Sequence, residues 1–171
     1  MENQLLLWSV RIAMLLYVTS LARWIWAAHN PVENASLARS QRYIWTLGCL
    51  AFLVHVAAAF HFRHGWSHQQ ALLHTAEETE RLVGWSFGGG IYFSYAFTVS
   101  WCLDVAWMWF NQESHRKRAR WITMALHVFL LAISINGAIV FATGPIRWVG
   151  IVLLGLLGAC YWLTRRQPGG H

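Results

Sequence analysis

Charge is scarce in this sequence. Only 12% of its 171 residues are Asp, Glu, Lys or Arg, about half of what an ordinary soluble domain carries. Cysteine is scarce too. Cys49, Cys102 and Cys160 form no CxxC pair and each lies inside an apolar run, so no disulfide framework or zinc knuckle can be read from them. They read as small apolar core residues. The three prolines, Pro31, Pro145 and Pro168, fall outside the apolar runs, so no run carries the residue that most readily breaks a helix. No basic residue precedes the first apolar run and no Ala-x-Ala signal follows it. A cleaved signal peptide is therefore not expected, and the first run reads as a retained transmembrane helix.

What is present is apolar and aromatic. Hydrophobic residues make up 57% of the chain and Trp alone occurs 12 times, a composition suited to lipid. Spanning a bilayer as a helix takes about 20 mostly apolar residues. Five stretches meet that need, at about 5–28, 43–62, 88–110, 121–142 and 146–164. The expected fold is all-α: a polytopic integral membrane protein, a five-transmembrane-helix bundle forming one domain over 1–164, with a disordered tail at 165–171. Thr143-Gly144-Pro145 should turn the last two helices into an antiparallel hairpin.

Orientation follows from the distribution of Lys and Arg. With five spans, Arg63, Arg81 and Arg147 fall on one side, and Arg39, Arg42, Arg116, Lys117, Arg118, Arg120, Arg165 and Arg166 on the other. The basic side should be cytoplasmic, which puts the N-terminus outside and the C-terminus inside. The net charge of +6 thus serves topology, and no nucleic-acid partner is expected. The expected partners are the lipid bilayer and a membrane-protein partner or a second copy of the chain. Trp and Tyr gather at the ends of the runs, as interfacial anchors do. The 29–42 segment reads as a plain connector, and the basic 111–120 loop as an anchor for anionic headgroups.

The 63–87 loop carries the densest chemistry. Gly65 is placed to end the second helix, and Ser67 with Gln70 opens a new one as a capping box. On that helix His68, Leu72, Thr75, Thr79 and Leu82 share a face, which predicts a short helix lying on the outer membrane surface. The glycines around Gly88–Gly90 should let another backbone approach closely. A dinucleotide-binding reading of them fails, because no strand precedes them.

Five of the nine histidines, His55, His61, His64, His68 and His74, lie between 55 and 74. Imidazole is the commonest side-chain ligand for transition metals. His61 and His64 share a helix face and His68 opens the next helix, so these three are the candidate ligands. His74, Glu77 and Glu78 offer a further nitrogen or a carboxylate. Such a set suits zinc, iron or copper. The alternative is an interfacial patch of polar aromatics bonded to loop backbone and water. A haem held by His55 and His127 is disfavoured, since their depths differ by about 9 Å at 1.5 Å per residue.

Polar residues at membrane depth are functional candidates by default. They are His55, Asp104, Arg11, Arg23, His127 and Asn136. His55 should hydrogen-bond a neighbouring helix, and an Asp104–Arg23 ion pair is expected to lock the first and third spans. Arg11 and Asn136 are placed to line a pocket beneath the outer loop. Three functional readings result. The first is a metal or redox-cofactor site at the outer face. The second is a non-enzymatic scaffold or accessory subunit packing on a partner. The third is a small transporter with a polar path through the bundle.

Overall fold

The computed structural model describes residues 1–29 and 35–137, together with Gly155 and Gly158. Every regular element among the described residues is a helix, so the all-α class holds there. In order these are α1 (Glu2–His29), α2 (Ala35–Arg63), α3 (His68–Val83), α4 (Gly90–Phe110), α5 (Gln112–Lys117) and α6 (Arg120–Ile135). The end of the fourth run (138–142), the expected turn at Gly144–Pro145, the fifth run apart from Gly155 and Gly158, the 165–171 tail, Pro31 and Cys160 lie outside the described residues.

Two helices, Glu2–Ala27 and Ser36–Arg63, are long and apolar enough to cross a membrane. Their surroundings suit lipid. Leu5, Trp8, Ile12 and Leu15 form an exposed stripe along α1, and Leu47, Leu50 and Val54 a second along α2. α4 is 21 residues long and is not one of these two. α6 is apolar and shorter, at 16 residues.

α1 and α2 pair antiparallel along their length. Arg63 donates to Asn3 Oδ1 at 2.9 Å near one end. Near the other, Gln41 Nε2 donates to Ser20 Oγ at 2.7 Å and Arg23 Nη2 to Ser40 Oγ at 2.7 Å. These bonds correct the reading of 29–42 as connector throughout. α2 already begins at Ala35, because Arg23 and Ser20 supply polar partners for its first turns.

α4 packs on α2, and α6 on α4. The centre of the core is aromatic: Tyr17, Trp45, Phe97 and Trp101 are buried together with Leu21, Cys49, Met108 and Leu130. Trp101 approaches α2 at Gly48, where an added Cβ would lie 3.0 Å from the indole. Glycine is needed there for helix approach.

α3 starts where its sequence predicts, at Ser67, and ends at a glycine cap that the sequence reading places in the entry to the next helix. The Ser67 Oγ accepts from the Gln70 N–H, and Gly84 closes the helix in the left-handed conformation at φ 76°. The glycine-rich entry to α4 also behaves as expected: a Cβ on Gly88 would lie 2.7 Å from the Leu72 carbonyl oxygen of α3.

Candidate functional site

The end of α2 leads into a tight turn in which Gly65 (φ 52°) and Trp66 (φ 60°) both have positive φ. This turn decides where each histidine goes. His61 is exposed and accepts from the Trp66 indole Nε1 at 3.4 Å. His68, past the turn, faces α4 instead of α2. Its Nδ1 shares a 2.9 Å hydrogen bond with the Tyr95 hydroxyl, and its Nε2 a 3.4 Å contact with the Tyr92 hydroxyl. The expected His61–His64–His68 ligand set is therefore divided. Among the described residues no group of three or more His, Cys, Asp or Glu is placed to hold a metal ion.

One pair remains. His64 is buried, with its ring 5.4 Å from that of His74 on α3 and edge-on to Phe60 at 5.6 Å. Its Nδ1 is buried and has no hydrogen-bond partner. Burial, with His74 and Arg63 nearby, lowers the His64 pKa below its ordinary 6.5. His74 is exposed, and Glu77 and Glu78 lie one turn further along α3. Glu78 accepts from Arg81 at 2.5 Å.

The polar residues within the helices are arranged differently from expectation in one important respect. Asp104 does not meet Arg23. Its Oδ2 accepts from the Trp45 indole at 2.9 Å, and its Oδ1 faces His115 Nε2 at 3.3 Å and Arg118 Nη1. The cause is α5. Asn111 caps this short helix by accepting from the Ser114 N–H at 3.0 Å, and the turn carries His115 and Arg118 back beneath α4. Arg23 is instead taken by Gln41 Oε1 at 3.1 Å, by Ser40 and by the Leu37 carbonyl. The 111–120 segment thus forms an internal clamp on Asp104.

His55 bonds a neighbouring helix, as expected, through Nδ1 to the Leu6 carbonyl at 3.1 Å and to Ser9 Oγ at 3.4 Å. His127 sits among Trp24, Trp45 and Tyr17 at 5.2, 5.4 and 6.5 Å between ring centroids. Trp45 and His55 are ten residues apart on α2, about 15 Å along the axis, so His55 and His127 occupy different levels. Arg11 lies over the Trp8 ring at 5.2 Å. Asn136 is exposed at the C-cap of α6, not in a pocket beneath the outer loop.

No family model, curated protein or solved structure matches the chain.

Sequence reasoning missed three pairings: His68 with Tyr92 and Tyr95, Asp104 with Arg118, and Cys49 with Cys102. Only the basic run after α4 hinted at one of them, as a reservoir of cations close in sequence to Asp104.

Proposed function

We propose that this is a five-span integral membrane protein, N-terminus outside and C-terminus cytoplasmic, that holds a transition-metal ion at its outer face between His64 and His74. One observation carries the reading: the unpartnered, buried Nδ1 of His64 beside a second imidazole. A buried ring nitrogen without a partner is costly, and a metal ion would satisfy it. Water would complete the shell. Two imidazoles with oxygen ligands suit zinc, iron or copper(II). His61 and His68, committed to Trp66 and the α4 tyrosines, would orient the loop.

The test is metal content and visible absorption of the protein purified in mild detergent. About one metal ion per chain is expected, lost in His64→Ala/His74→Ala and kept in His61→Ala/His68→Ala. A metal-free wild-type protein, or loss of metal only with His61 and His68, would sink the proposal. A Soret band would point to haem instead.

The accessory-subunit reading has support of its own. Trp66, Val83 and Trp85 are 65–70% exposed at the same end, an apolar surface suited to a membrane partner or a lipid interface. A transport path gains less. Asp104 and His55 are each committed to neighbours at separate levels.

Topology has an independent check. A cysteine at Gln69 should react with an impermeant thiol reagent from outside the cell, and one at Gln112 should not. The opposite labelling would reverse the orientation and place the His64–His74 pair in the cytoplasm.

A further inference from the structure

Cys49 of α2 and Cys102 of α4 are 53 residues apart in sequence, yet their sulfurs stand 3.7 Å apart. A disulfide needs about 2.05 Å between sulfurs, so about 1.7 Å of approach is required, within reach of small χ1 rotations. The helices are already close at this level. Gly48 adjoins Cys49, and the Trp45–Asp104 hydrogen bond ties α2 to α4 one turn away. The pair also lies deep. Cys49 is 13 residues from Ser36 and 14 from Arg63, so it sits about 20 Å from either end of its span. Hydrophilic oxidants do not reach that depth in a bilayer. The two thiols differ in access: Cys49 is 4% exposed, whereas Cys102 is half-buried.

We propose that Cys49 and Cys102 are a redox-active dithiol, oxidised to an interhelical disulfide by a lipid-soluble quinone. Two S–H bonds break and one S–S bond forms. The two electrons and two protons released reduce the quinone to its hydroquinone. Cys102 is the sulfur that an oxidant dissolved in the bilayer approaches, and Cys49 is the partner that closes the bond. The product staples α2 to α4 beside the aromatic core.

The experiment uses the full chain in lipid vesicles, reduced and then freed of reductant under anaerobic conditions. A short-chain benzoquinone is added, the reaction is quenched in acid, and the denatured protein is alkylated and weighed. The chain has three cysteines. The quinone-treated protein should take up one alkyl group, and three after reduction. Its digest should contain a peptide linking Cys49 to Cys102, with one hydroquinone formed per disulfide. Oxidised glutathione outside the same vesicles should leave all three thiols alkylatable. Three alkyl groups after quinone, a quinone adduct on sulfur, or a cross-link through Cys160 would each overturn the proposal. Equal oxidation by glutathione disulfide would overturn the choice of oxidant. Because the wild-type protein carries the readout, no variant has to fold. Cys160→Ser, with the pair intact, should give the same linked peptide.

Discussion

Replacing Asp104 by alanine should lower the stability of the folded protein by about 3–5 kcal/mol, the usual cost of breaking a buried ion pair from one side. Asp104 is 6% exposed and Arg118 has a 9% exposed side chain. Removing the carboxylate leaves the Arg118 guanidinium buried without its counter-charge and the Trp45 indole N–H without its acceptor. Arg118→Ala should cost a comparable amount by stranding the carboxylate. Arg23→Ala should cost about 1 kcal/mol, since it removes hydrogen bonds to the neutral acceptors Ser40, Gln41 and a carbonyl. Reversible unfolding in detergent measures all three. The double-mutant cycles decide the pairing: Asp104 should couple to Arg118 and add independently with Arg23. Strong coupling to Arg23 and none to Arg118 would restore the pairing that depth alone suggests.

Trp101→Ala should be the costliest apolar substitution, at about 3–5 kcal/mol. Trp101 is 0% exposed and its ring meets Trp45 at 4.9 Å, Phe97 at 5.6 Å, Tyr17 at 5.7 Å and Phe52 at 6.0 Å. The penalty includes the dispersion attraction forfeited around a cavity walled by four rigid rings, which cannot collapse into it. Exposed Leu103 on the same helix, 64% open, is the control: alanine there should change stability by less than about 0.5 kcal/mol. Equal effects at the two positions would refute an aromatic core centred on Trp101. Gly48→Ala probes the same interface from α2. Its methyl group would stand 3.0 Å from the indole and 3.3 Å from Leu16 Cβ, an overpacking expected to cost about 1–3 kcal/mol.

Sequence and structure agree where the physics is local. Ser67 starts α3 because a side-chain cap acts within a few residues. Gly88 permits close approach for the same reason. His55 needed a hydrogen bond inside an apolar run, and the nearest helix supplied one. Where two groups far apart in sequence had to meet, depth along a helix was a poor guide. Arg23 lies at a suitable level for Asp104 but was taken by α2 residues. Arg118 reached Asp104 because Asn111 starts a short helix that turns the chain back.

The histidine cluster shows the same division. Its density between 55 and 74 is plain in the sequence. The Gly65–Trp66 turn then sends His61 to an indole and His68 to two tyrosines, leaving His64 facing His74. The sequence by itself determined the helical class, the apolar character of α1 and α2, and the N-cap of α3, because periodicity, composition and capping are local properties. Only the tertiary structure decided which polar groups became partners, and it brought Cys49 against Cys102. Those outcomes depend on how α2, α4 and the α5 turn pack, and helix packing sums many interactions that no short stretch of sequence contains.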